Sequence, residues 1–347
     1  MQLIIPIFVT YQGCPHRCIF CDGEKTAGHY PERITREIFE EMVFAYLRHT
    51  KRKVDRIQIA FYGGNFTGME EDYQLELLGF ANSFIRRGLA DAIRVSTRPD
   101  YISEKSLDML EKFAVTTVEI GAQSMDEEVL ILSERGHSSA DVRDAVRMLK
   151  KRGFETGIHL MVGLPGDTQE KFAYTVDETI ALCPDMVRIH PTLVFQGTAL
   201  AKAFQEGAYV PLSISEAIAA CKYALRKFAS ASIPVIRVGL QVTHEVATEG
   251  SIIAGPFHPA FRSLVEEAIF FDMASSMLSF GLAENREVTF SLSSKDVGSF
   301  RGQKNRNIQR LKDLFGLAGI LVSCDPTQKR GSLAMIVNGK KWEITGV

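Results

Sequence analysis

Short apolar runs alternate along most of this chain with longer stretches in which apolar residues return every third or fourth position. The runs Leu3–Tyr11, Arg56–Gly63, Ile93–Arg98, Thr117–Gln123, Thr156–Gly163 and Met186–Val194 read as strands, and Ile233–Val242 as a seventh. Between them, Ile34–His49, Ala140–Gly153, Gln169–Leu182 and Ile214–Ala229 carry helical periodicity. Strand alternating with helix at this spacing implies parallel strands joined by right-handed crossovers. Such units curl into a barrel or partial barrel, or spread into a doubly wound open sheet. In either case chemistry belongs at the carboxyl ends of the strands. The rhythm changes after about Thr243. A helix over Ala260–Phe280, a strand over Arg286–Ser293, a helix over Asn305–Leu314 and two short strands in GILVSC and SLAMIV follow. The pattern divides the chain into residues 1–245 and a small α/β extension, 246–347.

Composition narrows the class. The 347 residues are 46% hydrophobic and 24% charged, enough for a substantial core, and the net charge of -2 argues against a broadly basic nucleic-acid surface. No apolar run reaches the ~18 residues of a membrane span. The apolar start MQLIIPIFVTY lacks a basic n-region and a small-residue cleavage site, so it reads as a first strand in a cytoplasmic protein. Six cysteines, three of them clustered, are no disulfide framework for a chain this long; such a cluster more often binds metal.

Cys14, Cys18 and Cys21 follow the first strand with the spacing C-x3-C-x2-C. Thiolates on so short a loop reach three corners of one cubic cluster, and a [4Fe–4S] cluster normally takes four. Three leave one iron open, and an open metal position reserves room for chemistry. On spacing alone two other readings stand: a structural zinc site completed by His16 or His29, and three unrelated free thiols. The loop CPHRCIFC, with the aromatic Phe20 before its last cysteine, resembles that of the radical S-adenosylmethionine (SAM) superfamily. The resemblance implies a [4Fe–4S] cluster on Cys14, Cys18 and Cys21, with Phe20 beside the cofactor. It also implies that the amino and carboxylate groups of SAM chelate the open iron. One electron, from a donor such as flavodoxin or ferredoxin, then yields methionine and a 5′-deoxyadenosyl radical that takes hydrogen from a substrate.

Later motifs follow in the family's order. FYGGNFTG ends the second strand; in isolation it is a tight turn, and the resemblance implies that Gly63, Gly64 and Asn65 meet the methionyl amine of SAM. Asn65 stands where many members have a carboxylate, which favours backbone carbonyls or Thr67 as the contacts. In VEIGAQSMDEEVLILSERGH the resemblance puts Gln123 on the SAM ribose and Arg135 on its carboxylate; alone, these residues read as a strand-end cap and a solvated arginine. In GIHLMVGLPGDTQE, His159 occupies a ribose-binding position; alone it reads as a core histidine. STRPDYI carries Ser96 where related enzymes have a glutamate. The segment Ile189–Ile218 resembles the catalytic subunit of Elongator, and other motifs are shared with oxygen-independent coproporphyrinogen oxidases. Arg188 and His190 flank the sixth strand end, and Arg237, Gln241 and His244 lie on or after the seventh, where Gln241 and His244 face substrate or serve as core or capping residues.

The resemblance covers about residues 1–245 and implies a partial (β/α)6 barrel. An acetyltransferase domain, which Elongator catalytic subunits carry next, is not expected here, nor is a basic tRNA-binding arm ahead of the cluster. The expected function is a radical SAM enzyme of unknown substrate, with tRNA a candidate because an open barrel side suits large substrates. A coproporphyrinogen-type oxidative decarboxylase and a non-catalytic iron–sulfur or RNA-binding module are the alternatives. In the extension, Phe300–Asp313 is basic and reads as a solvated helix face or a phosphate contact, and AGPFHPAF reads as a turn over the barrel mouth.

Overall fold

Seven parallel strands form the main sheet. They are β1 (Gln2–Phe8), β2 (Arg56–Tyr62), β3 (Ala92–Thr97), β4 (Val115–Gln123), β5 (Glu155–Val162), β6 (Met186–Pro191) and, after the short β7 (Val194–Phe195), β8 (Val235–Val238). The computed structural model describes residues 2–9, 13–15, 18–22, 33–50, 54–240, 250–280, 287–337 and 339–346. The strands lie in the order β1-β2-β3-β4-β5-β6-β8, each parallel to its neighbour. A doubly wound sheet reverses its order at a switch point. This one does not reverse; it curls into a half-barrel, as the resemblance implied.

Helices α1 (Arg36–His49), α2 (Glu71–Arg86), α3 (Glu104–Lys112), α4 (Glu127–Leu132), α5 (Ser139–Lys151), α6 (Gln169–Ala181), α7 (Ala199–Gln205) and α8 (Ile214–Ser230) fill the connections. Local chemistry sets their starts. Ser138 with Asp141 makes a capping box at α5 and Ser213 with Glu216 another at α8, each satisfying amides the first turn leaves open. Strand residues alternate between faces. One face carries Ile5, Ile59, Ile93, Val118, Ile158 and Val187, all fully buried in one apolar core. The other carries Gln58, Arg94, Glu119, His159 and Arg188, so the concave side of the sheet is polar.

Beyond the sheet, β9 (Ile252–Ala254) pairs antiparallel with β7. The turn after it reaches the carboxyl end of the barrel, where Phe257 packs with Leu193, Phe195 and Leu240. The long helix α9 (Phe261–Leu278) contacts α8 on one side; on another it meets α10 (Val297–Arg301), α11 (Arg306–Phe315) and β12 (Ser332–Val337). With β10 (Glu287–Leu292), β11 (Gly319–Cys324) and β13 (Lys340–Thr345), β12 forms a second sheet in the order β11-β10-β12-β13. The basic stretch at α11 is tied to α9. Arg306 pairs with Glu267 at 3.5 Å, and the Arg310 guanidinium lies 4.1 Å from the Phe271 ring centre. The division at 245/246 falls in 241–249, outside the described residues, as do Gln241, His244, His16 and His29. Among the described residues no helix is long and apolar enough to cross a membrane.

Candidate functional site

The cysteine loop reaches the carboxyl end of the sheet because a glycine contact lets it. Gly13 has φ +71°, and a Cβ there would lie 2.2 Å from the Asn65 carbonyl oxygen and 2.5 Å from the Met69 nitrogen. Only glycine allows the two backbones to touch. Across this contact the Asn65 Nδ2 donates to the Gly13 carbonyl at 2.8 Å, and its Oδ1 accepts from the Thr97 hydroxyl at 2.6 Å and the Arg98 amide at 3.1 Å. Asn65 is fully buried and binds the loop to the ends of β2 and β3. Beside it Gly63, with φ +92°, and Gly64 offer bare backbone, and the Thr67 hydroxyl is bonded to Thr97.

The rest of the loop is strapped from two sides. The Ile19 amide donates to the Ser133 carbonyl at 3.3 Å, and the Ile19 carbonyl accepts from the Leu200 amide at 2.8 Å. Ile19 and Phe20 pack on Val194, Leu200, Ala201 and Tyr209. None of the three cysteines is in a disulfide, and Cys18 is buried. Burial pushes the Cys21 thiol up to about 12, with Cys18 and Cys14 adding to it. Burial also raises Cys14, with Arg135 opposing and Cys18 adding. The three thiols therefore lie close enough to feel one another's charge. Among the described residues no three His, Cys, Asp or Glu converge as a single ion requires. A cubic cluster instead takes each thiolate on a different iron, so its ligands need not converge on one point.

Arg135 follows α4 and is buried. Its Nη2 donates to the Gly121 carbonyl at 2.6 Å, and Nη1 lies 3.5 Å from the Cys18 Sγ. Its Nε is buried without a partner, and among the described residues no carboxylate pairs with it. Gly121 makes this possible: a Cβ there would come within 2.9 Å of Arg135 Nη2 and 3.1 Å of Gln123 Nε2. Arg98 buttresses the arrangement. It grips Asp100 with two bonds of 3.0 and 2.9 Å and donates to the Arg135 carbonyl at 2.8 Å. Gln123 ends β4 at φ +71°, a left-handed conformation that strand residues adopt only under constraint. It lines a cavity of about 220 Å³ with Phe20, Cys21, His159, Met161 and His190. A buried guanidinium with no carboxylate partner among the described residues, three neighbouring thiols and a cavity lined by Cys21 fit an iron–sulfur cluster and a nucleoside-sized ligand that carries a carboxylate.

Below this cavity Glu119, fully buried, joins β4 to four other strands. Its carboxylate meets Arg94 at 2.6 Å, Arg188 at 2.6 Å, the Tyr62 hydroxyl at 3.0 Å and the His159 Nε2. Burial alone would raise this carboxyl, but His159, Arg188 and Arg94 outweigh it and hold it well below the usual carboxylate range. Burial pushes the His159 ring down against the pull of Glu119. The ring is therefore neutral near pH 7, its Nε2–H donates to Glu119, and Nδ1 remains as its acceptor. His190 has a buried Nδ1 without a partner; burial, then His159 and Arg188, push its pKa down to about 3. Unfolded, this ring takes its proton near pH 6.5, whereas the folded protein refuses it until about 3, so stability is lost as pH falls below 6.5. His190→Gln is expected to shrink the loss of unfolding free energy between pH 7 and pH 5 by about 2 kcal/mol, measured by urea titration.

Of the residues singled out in the sequence, Phe20, Cys21, Gln123 and His159 meet around one cavity, with Arg135 beside Cys18 and Gly121. The Asn65 side chain instead faces Gly13, Thr97 and Arg98. Glu119 and Arg94 had not been singled out, and Arg98 only as part of the STRPDYI motif. A charged residue in the middle of an apolar strand, as at Arg94 and Glu119, was the available signal.

Residues 8–179 match the family model of the radical SAM superfamily, and residues 184–270 match that of the radical SAM C-terminal domain. A tRNA uridine(34) acetyltransferase of Methanocaldococcus infernus is 31% identical over 259 residues, covering 64% of this chain and 48% of that protein. Elongator complex protein 3 of Schizosaccharomyces pombe is 24% identical over 249 residues, covering 59% and 46%. The chain thus spans about half the length of the curated relatives it matches. Among solved structures, the archaeal M. infernus Elp3 with an N-terminal deletion shares the fold, with a TM-score of 0.61 at 23% identity over 82% of this chain and 68% of that one.

Proposed function

The chain belongs to the radical SAM superfamily, and on that premise we propose that its strand ends hold a [4Fe–4S] cluster on Cys14, Cys18 and Cys21 and cleave SAM reductively. The observation that carries this reading is the buried Arg135 guanidinium, which has a free Nε and no carboxylate partner among the described residues, next to Cys18. When bound, the cluster supplies the electron that splits the SAM sulfonium bond.

The chain's own residues hold and orient the cofactor. Arg135 takes the carboxylate of SAM, since a planar guanidinium pairs with it bidentately. The backbone at Gly63–Asn65 meets the amine. Gln123 and the neutral His159 take the ribose hydroxyls, and Phe20 flanks the nucleoside. Ile19 and Phe20, packed on β7 and α7, keep water from that side of the loop. The substrate in this reading is a tRNA, supported by the likeness to relatives named as tRNA uridine(34) acetyltransferases, and a flavodoxin or ferredoxin delivers the electron.

Anaerobic reconstitution should give about four irons per chain, and dithionite with SAM should release 5′-deoxyadenosine, with added tRNA accelerating the release. Zinc in place of iron with no nucleoside formed would overturn the enzyme reading. Acceleration by small molecules but not by tRNA would overturn the substrate.

A further inference from the structure

We propose that Arg237, with Arg188 beside it, forms an oxyanion site at the open edge of the half-barrel, where a carboxylate or phosphate group of the substrate docks. The inference rests on the radical SAM reading of the strand ends and names the charge class of what that centre acts on.

Arg188 of β6 and Arg237 of β8 are direct partners in parallel strands, so both project from the concave face. Arg188 is committed to Tyr62 and Glu119: its Nη2 donates to the Tyr62 hydroxyl at 2.8 Å and to Glu119 at 3.0 Å, and its guanidinium lies 5.1 Å from the Tyr62 ring centre. Glu119 is also shared with Arg94 and His159. Arg94, Arg188 and His159 therefore share one carboxylate, and Arg237 is left over. Among the described residues its side chain makes no hydrogen bond or ion pair. Burial and the charge of Arg188 pull its pKa below the ordinary arginine value. A half-buried guanidinium beside a like charge destabilises the empty protein. A bound oxyanion offsets both terms, and a guanidinium recognises one bidentately.

The surroundings give the anion room and connect it to the chemistry. Arg237 lines a groove of about 410 Å³ between β8 and the start of α9, with Gly239, Leu240, Phe261 and Ser263. That volume is in the range of small-molecule sites. Leu240 also lines the 220 Å³ cavity that holds Gln123, His159 and His190. An anion at Arg237 thus anchors a substrate whose remainder extends past Leu240 toward the cofactor cavity.

The test uses the full-length reconstituted protein without SAM, so anion binding and SAM cleavage succeed or fail independently. Thermal midpoints are recorded at constant ionic strength while chloride is exchanged for inorganic phosphate or for acetate. The wild-type midpoint should rise saturably, by about 2 °C once the anion exceeds its Kd tenfold. Arg237→Met should lose the rise, and Arg237→Lys should keep a weaker one. A larger response to phosphate assigns a phosphate group, and one to acetate a carboxylate. In chloride, Arg237→Met should be at least as stable as wild type, because it removes an uncompensated charge. A wild-type midpoint indifferent to both anions, an equal rise in Arg237→Met, or a variant that folds poorly would each overturn the proposal.

Discussion

Alanine at Cys14, Cys18 or Cys21, one at a time, is expected to reduce bound iron from about four per chain to near none and to abolish 5′-deoxyadenosine release. The same change at Cys183 or Cys324, both exposed and outside the loop, is expected to alter neither. In the proposed site each thiolate would hold a different iron, so losing one would remove a ligand that no neighbouring thiol replaces. The loop cannot recruit a substitute by shifting. Gly13 is locked against the turn after β2, and Ile19 is bonded to Ser133 and Leu200 on opposite sides. Iron analysis and chromatography of the nucleoside after dithionite treatment check the prediction. Retention of iron by Cys18→Ala, the buried member of the triad, would contradict it most directly.

Glu119→Ala is expected to cost about 3–5 kcal/mol of folding stability, since removing one member of a buried ion pair leaves the others uncompensated. Arg94 is 2% exposed and Glu119 0%, so water cannot take over. Arg94 would keep its bonds to Gln58, at 3.2 and 3.0 Å, and a weak one to the Met186 sulfur at 3.4 Å, while Arg188 would sit beside Arg237 without its carboxylate. Glu119→Gln keeps the shape and one acceptor and should fall between alanine and wild type in urea titrations. Arg94→Met added to Glu119→Ala should recover part of the loss, because it removes a stranded charge. The carboxylate's contribution is fully present above its ordinary pKa of about 4.3 and is lost as pH falls below that toward its lowered folded value. A Glu119→Ala variant as stable as wild type at pH 7 would show that the concave face admits enough water to solvate the arginines.

Period and spacing along the chain were enough to place the seven strands of the barrel and its helices α1, α5, α6 and α8, to mark the cysteine triad and to mark the Gly63–Gly64–Asn65 turn. Those signals act between residues a few positions apart, where side-chain alternation, caps and loop length operate. They missed β13, whose residues Lys340, Lys341, Trp342 and Glu343 are exposed. It is a strand because β12 offers it an edge, not because of its own pattern. They also missed β7 and β9, too short to show a period. The order of strands in the curled sheet, the Gly13 contact that explains why Asn65 turns inward, and the placement of Arg135 over Gly121 all join residues far apart in the chain. So does the charge balance of the concave face, where Arg94, Glu119, Arg188 and Arg237 come from four different strands. Coulombic and hydrogen-bonding partners are chosen by distance in space, and that distance exists only once the sheet has closed.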